Sequence, residues 1–127
     1  MTLSDSQVIP TVAVSDIGRA REFYEGTLGL SGGEEEADGG VRYPCGGTAI
    51  HIYPSADNAG KSPATLAAFQ VDDVERAVDE LIAAGITFEQ YDMDPIKTDE
   101  KGIAHLGDSA GAWFKDPDGN IFALDQE

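Results

Sequence analysis

The side chains best suited to nucleophilic or acid-base chemistry at neutral pH are two histidines and one cysteine. His51 and His105 can act as general acids or bases, or as metal ligands. Cys45 is the only thiol, and no histidine and carboxylate flank it in the pattern of a nucleophilic site. We therefore interpret Cys45 as a structural residue and keep the two histidines as catalytic candidates.

His51 lies in an apolar segment, residues 48–53, that is typical of a β-strand. Strand parity places Ala49 and Tyr53 on the same face as His51. His51 could be a general base or a hydrogen-bond partner of a ligand, or its ring could simply bond a neighbouring side chain. His105 lies in a charged segment, where an exposed loop is the simpler expectation.

Aromatic side chains offer apolar area with a polar tip, which suits contact with an organic molecule. Each of them alone is explained equally well by core packing. As a set, one or two are expected to contact a ligand. These residues are Tyr43, Tyr53, Tyr91 and Trp113.

The segment Asp-Pro-Asp-Gly-Asn, residues 116–120, lies between two short runs of aromatic and aliphatic residues. Pro117 favours a turn, and Gly119 accepts a positive φ. This pattern predicts a β-hairpin close to the end of the sequence.

The chain contains an internal repeat. A strand over residues 8–14, with Pro10 at a sheet edge or a strand end, precedes a helix that Ser15 or Asp16 can cap. Residues 71–77 repeat the pattern of residues 14–20 at an offset of 57, after a second strand over 65–71. The sequence therefore predicts one domain made of two modules, residues 7–57 and 64–127, joined by a linker-like stretch.

The closing strands match at an offset of 72, so the second module carries 15 more residues than the first. We place this extra length in the charged segment around residues 91–108. This segment is either a lid over a pocket or a surface loop without a function. The acidic, glycine-flanked residues 32–40 are interpreted as an exposed turn and are given no function.

The composition of the chain indicates which kinds of molecule it can bind. The 127 residues carry a net charge of −16, which disfavours binding to nucleic acid or to an anionic membrane surface. This charge either serves a cationic ligand or forms a solvated acidic surface. A polar beginning, one cysteine and the lack of a membrane-length apolar run indicate a cytoplasmic protein.

The repeat, the Phe23-Tyr24 pair, the Leu-Gly-Leu stop at 28–30 and the terminal hairpin together resemble the vicinal oxygen chelate superfamily. This superfamily includes glyoxalase I, bleomycin-resistance proteins and extradiol dioxygenases. The resemblance implies an α+β fold of two βαβββ modules, whose curled mixed sheets surround a cavity. It also implies that two chains pair as a homodimer.

Metalloenzymes of this superfamily hold a divalent ion through the first and last strands of each module. By register, the resemblance places these positions at Ile9, His51, Leu66 and Ala123. Only His51 has a lone pair to offer, and one imidazole cannot hold a catalytic ion. We therefore predict no metal here, and we expect these four positions to line a ligand pocket.

The resulting hypothesis is a metal-independent small-molecule-binding protein that sequesters a drug or toxin, with a small and cationic organic ligand. The alternative is a glyoxalase-like lyase or isomerase, or a dioxygenase, acting on a small oxygenated metabolite. It would use His51 with His105 or Glu89. No cofactor is expected, because the glycine pairs lack the strand-loop-helix context of phosphate-binding loops.

Overall fold

The computed structural model describes residues 2–127, which form two compact units that divide between Gly60 and Lys61. Each unit has a four-stranded mixed sheet with open edges and few helices. Each follows the order strand, helix, then three sheet strands, so the α+β fold of two βαβββ modules that the resemblance implies is confirmed.

The first unit begins with a short 3-10 turn at Leu3–Asp5. Helix α1 spans Ile17–Arg21 and continues as a π-helical segment, Glu22–Thr27. The strands are β1 (Thr11–Val14), β2 (Glu34–Glu35), β3 (Val41–Cys45) and β4 (Thr48–Pro54). Their spatial order is β1-β4-β3-β2, in which β1 runs parallel to β4 and the other pairs are antiparallel.

Pro10 lies immediately before β1, the edge strand of this sheet. Proline has no N–H to donate to a neighbouring strand, so an edge or a strand end suits it. Its carbonyl accepts a hydrogen bond from the His51 N–H at 2.9 Å. This bond fixes the register of β1 against the middle of β4.

Helix α2 of the second unit spans Val74–Ala83. The strands are β5 (Thr65–Gln70), β6 (Asp92–Met93), β7 (Ile96–Lys97), β8 (Ile103–Leu106), β9 (Ser109–Lys115) and β10 (Ile121–Gln126). The main sheet has the order β5-β10-β9-β8, with β5 parallel to β10. Strands β6 and β7 form a separate small hairpin.

The two helices begin in the same way. Asp16 Oδ1 accepts the Arg19 N–H at 3.1 Å, and Asp73 Oδ1 accepts the Arg76 N–H at 3.1 Å. A carboxylate at the N-cap satisfies a helical N–H that has no partner within the helix. The offset of 57 found in the sequence therefore relates equivalent capping residues.

The turn at residues 116–120 depends on Asp116, which is buried. Its Oδ1 accepts the N–H groups of Asp118 at 2.9 Å and Asn120 at 2.8 Å. Gly119 has a φ of +94°, which glycine adopts without strain. These contacts form the hairpin between β9 and β10 that the sequence predicts.

Alternation along the strands gives each sheet one core face. In the first unit α1 packs on β4, and in the second α2 packs on β9 and β10. The largest buried side chains of these core faces are Val12, Val14, Val41, Tyr43 and Ile52 in the first sheet, and Phe114 and Phe122 in the second. The opposite faces carry His51 in the first sheet and Trp113 in the second. None of the helices within residues 2–127 is long and apolar enough to cross a membrane.

Residues 91–108 are more regular than the sequence suggests. They contain the β6–β7 hairpin and all of β8, which pairs with β9. Ile103 and Ala104 are buried, so this short apolar pair fixes β8 in the main sheet despite its charged neighbours. The loop location predicted for His105 is therefore wrong, because His105 lies in β8 opposite Ala110.

Candidate functional site

In the first unit His51 lies in the middle of β4, aligned with Thr11 on β1 and Arg42 on β3. Its side chain is only 10% exposed, and Nε2 lies 2.7 Å from Asp38 Oδ2. An ionised carboxylate only accepts hydrogen bonds, so Nε2 of a neutral ring carries the proton. The lone pair is then on Nδ1, which is buried and has no hydrogen-bond partner within residues 2–127.

Asp38 belongs to the acidic segment 32–40, which was predicted to be an exposed turn without a function. Its Oδ1 accepts the Gly40 N–H at 2.8 Å, and its hydrogen bond with His51 lowers the pKa of the Asp38 carboxyl. Gly40 has no room for a side chain, because a Cβ there would collide with the Ile52 carbonyl oxygen. An aspartate before two glycines is typical of a turn. The sequence alone therefore does not indicate that Asp38 contacts His51.

The two tyrosines of this sheet, Tyr43 and Tyr53, lie on its opposite faces. Tyr53 stacks almost parallel to His51, with ring centroids 6.2 Å apart and an angle of 14°. Tyr43 pairs with Ile50 on the core face, is 1% exposed and donates its hydroxyl to Glu25 at 2.6 Å. Burial, and next the hydrogen bond to Glu25, raise the pKa of Tyr43. The ligand contact predicted for Tyr43 does not fit this position.

The residues present do not fit the divalent ion of the superfamily's metalloenzymes. Ile9 precedes β1, and the strand residue aligned with His51 is Thr11. In the second unit Leu66 is 41% exposed, while Ala123 is buried and pairs with Ala68. Within residues 2–127 no group of three or more histidine, cysteine, aspartate or glutamate residues is placed to hold a metal.

His51 by itself has the orientation of many metal-binding histidines, which donate their other ring N–H to a carboxylate. The remaining mapped positions offer only hydrocarbon in place of the further nitrogen or oxygen ligands that a catalytic ion needs. Of the four mapped positions, only His51 therefore offers a donor atom, and its imidazole is suited to hydrogen bonding.

In the second unit Trp113 lies on the sheet face opposite the core, partly buried. Its neighbours on this face are small, since Ala123 pairs with it and Gly111 is two residues away on the same strand. The ring of Tyr91 meets that of Trp113 edge to face, with centroids 5.5 Å apart. The small partners on the strands leave part of the indole accessible beside the Tyr91 ring.

Trp113 lines two clefts. One, of about 230 Å³, lies along the ends of β9 and β10. Its other lining residues are Gln70, Leu106, Ser109, Ala110, Gly111, Asp125, Gln126 and Glu127. The second, of about 270 Å³, is mostly apolar and is lined by Pro63, Ala64, Thr65, Tyr91, Met93, Ile96 and Ile121. Both volumes suit a ring or a short functional group, and they approach the lower end of ordinary ligand pockets.

The other side chains considered for catalysis are His105, Glu89 and Cys45. His105 is 69% exposed, and its Nε2 is 3.8 Å from Asp99 Oδ2. Glu89 forms an ion pair with Lys115 at 3.3 Å. Cys45, at the end of β3, is a partly buried free thiol. None of these three side chains lines either cleft at Trp113.

Comparison with known proteins agrees with this fold. Residues 7–124 match the family model described as Glyoxalase/Bleomycin resistance protein/Dioxygenase superfamily. No curated protein sequence matches the chain.

Solved structures of similar fold include a glyoxalase family protein of Bacillus anthracis, with 25% identity, 95% of each chain covered and a TM-score of 0.70. An antibiotic binding protein of a Streptomyces species has 23% identity, 95% coverage of each chain and a TM-score of 0.68. A lactoylglutathione lyase of Agrobacterium tumefaciens has 17% identity and a TM-score of 0.69, covering 95% of this chain and 93% of that one.

Proposed function

Because this chain belongs to the Glyoxalase/Bleomycin resistance protein/Dioxygenase superfamily, we propose that it binds a small, cationic organic molecule and does so without a metal ion. Sequestration of the bound molecule is the function. The observation that carries this proposal is the pair of clefts around Trp113, which combine aromatic and small side chains. A flat ring beside small residues gives a ligand a surface on which to stack.

Binding without a metal is supported by the chemistry of the mapped positions. Ile9, Leu66 and Ala123 have no donor atoms, which leaves His51 as the one candidate ligand. An enzyme that polarises substrate oxygens through a metal needs several protein ligands and open positions on the ion. Stacking and hydrogen bonding need neither.

A cationic ligand is supported by the charges at the cleft. Asp125 and Glu127 line the cleft of about 230 Å³, and no lysine or arginine does. The face of a tryptophan ring also attracts cations. The net charge of −16 raises the local concentration of positively charged molecules around the chain.

The fold likeness to an antibiotic binding protein makes an antibiotic a reasonable first ligand to test. We also propose that two chains pair and that the protein acts in the cytoplasm. Sedimentation of the purified protein tests the pairing, and sedimentation as a single chain at high concentration would contradict it.

Trp113 is the only tryptophan and serves as a built-in reporter. Titration with a panel of cationic antibiotics that includes bleomycin is expected to change its fluorescence saturably for at least one member. The absence of a response to every member would count against the proposal. Neutral antibiotics of similar size are the matched controls and are expected to bind more weakly.

A second candidate function is catalysis as a glyoxalase-like lyase or isomerase. The observation that favours it is the hydrogen bond from His51 to Asp38, since a carboxylate that orients an imidazole is a common feature of general-base sites. Metal analysis of protein purified without chelator distinguishes the two functions. A divalent ion in one-to-one ratio would favour the enzyme and contradict sequestration without metal.

A further inference from the structure

Asp125 carries a carboxylate on β10, one of the two inner strands of the second sheet. It lies on β10, between Gly111 of β9 and Gln70 of β5, and is partly buried. Among residues 2–127 no hydrogen bond or ion pair engages this carboxylate. A partly buried charge that lacks a partner costs free energy, and a bound cation would offset that cost.

Gly111 lets this carboxylate lie close to the backbone of the neighbouring strand. A Cβ placed on Gly111 would lie 3.2 Å from Asp125 Oδ1 and 3.7 Å from Trp113 Cη2. Gly111 is not among the glycines with positive φ, so its backbone conformation does not require glycine. A glycine inside a strand often marks a close approach by a ligand or by another backbone.

These three residues form a notch, defined here as the part of the cleft of about 230 Å³ that the Asp125 carboxylate, the Trp113 ring and the Gly111 backbone line. The carboxylate accepts hydrogen bonds and favours a cationic donor, and the indole offers apolar surface to the carbon atoms of the same ligand. The notch lies within the cleft of about 230 Å³, and no basic side chain lines that cleft. One small cationic group therefore fits its chemistry.

We propose that this notch binds the ammonium group of a protonated primary amine. An N–H of the amine donates to Asp125 Oδ1, and the carbon chain that carries the nitrogen lies against the Trp113 ring. The proposal rests on the proposed binding function and names the ligand class of that site. A quaternary ammonium group does not meet this requirement, since it has no N–H to donate.

Three probes with the same phenyl group test this assignment. They are phenethylamine, the neutral 2-phenylethanol and the quaternary trimethyl(2-phenylethyl)ammonium, each titrated into the full chain and followed by Trp113 fluorescence. The primary amine is expected to bind at least about tenfold more tightly than either of the others, because only it forms a charge-assisted hydrogen bond. Equal affinity for the amine and the alcohol would overturn the proposal.

Variants identify the groups responsible. Asp125→Asn and Gly111→Ala are each expected to bring the affinity for phenethylamine down to that for 2-phenylethanol. Asp108→Asn removes the same charge from the exposed turn between β8 and β9, outside the cleft, and is expected to leave the affinity unchanged. A loss of equal size in Asp108→Asn would show a general charge effect and would overturn the notch.

A failure of the notch proposal can be distinguished from a failure of the proposed binding function. If the chain binds members of the antibiotic panel but shows no preference for phenethylamine, the notch is wrong and the proposed function stands. If neither the panel nor any probe binds, both are wrong. Should Gly111→Ala lose its fold, as seen by circular dichroism, Asp125→Asn decides the matter, because it preserves side-chain size.

Discussion

The rings of Tyr91 and Trp113 meet edge to face at 77°, although Tyr91 precedes the β6–β7 hairpin and Trp113 lies in β9. Thr98 holds the base of this hairpin, since its hydroxyl accepts the Tyr91 N–H at 2.9 Å and its own N–H donates to the Tyr91 carbonyl at 2.9 Å. The hairpin thereby supplies Met93 and Ile96 to the cleft beside Trp113. The extra residues of the second unit thus form one wall of a candidate binding surface.

Tyr91→Leu is expected to expose Trp113 and to weaken ligand binding. Loss of the aromatic pair removes about 0.5–1.5 kcal/mol of interaction. The emission maximum of Trp113 should shift to longer wavelength, and the affinity for a responding antibiotic should fall by roughly two- to thirteenfold. Tyr91→Phe keeps the ring and should leave both quantities unchanged. An unchanged spectrum in Tyr91→Leu would show that the pair does not shape the cleft.

Tyr43→Phe is expected to lower stability slightly without affecting ligand binding. The Tyr43 hydroxyl hydrogen-bonds Glu25, and this bond, followed by the one from Arg21, lowers the pKa of the Glu25 carboxyl. The variant should therefore raise the pKa of Glu25 towards its ordinary value and reduce the urea midpoint. NMR titration of Glu25 and urea unfolding measure these changes. A marked loss of ligand affinity would instead restore the ligand contact first predicted for Tyr43.

The contribution of Asp38 to stability is expected to depend on pH. Its folded-state pKa is lowered, chiefly by the hydrogen bond from His51, so the ionised carboxylate stabilises the folded state above its ordinary pKa of about 4. That stabilisation is lost as the pH falls through the lowered folded-state pKa. Urea unfolding of the wild type and Asp38→Asn should differ most at neutral pH and converge in acid.

The matched control for this comparison is Asp57→Asn, which changes an exposed carboxylate in the stretch that follows β4. It should track the wild type at every pH. A difference between the wild type and Asp38→Asn that stays constant from neutral pH into acid would contradict the role assigned to the hydrogen bond.

The N-caps of α1 and α2 are expected to contribute similar amounts to the free energy of unfolding. Asp16→Ala and Asp73→Ala each remove an acceptor for a helical N–H and should destabilise the folded state by about 1 kcal/mol. Asp16→Ser and Asp73→Ser keep a capping oxygen and should stay close to wild type. Urea unfolding of the four variants tests this, and an alanine variant as stable as its serine counterpart would argue against a stabilising cap at that helix.

Local signals in the sequence predicted the elements that depend on neighbouring residues. Asp16 and Asp73 cap helices because each lies three residues before the N–H that it accepts, and Asp116 organises a turn within five residues. The repeat predicted two similar modules, and the family resemblance implied their mixed sheets. These features need no knowledge of how distant strands align.

Contacts that depend on register were missed. Asp38 reaches His51 across 13 residues, and only the pairing of β3 with β4 brings the turn to that ring. Tyr43 was assigned a role by residue type, whereas its pairing with Ile50 places it on the core face. Likewise, the short apolar pair at 103–104 gave too weak a periodic signal to reveal β8 within a charged segment.

The most direct test of ligand binding without metal is a Trp113 fluorescence titration with the panel of cationic antibiotics in EDTA, repeated with one equivalent of ZnCl₂ in place of the chelator. A saturable change for at least one antibiotic, with the same affinity under both conditions, is the predicted result. A response that disappears in EDTA and returns with zinc would contradict the account.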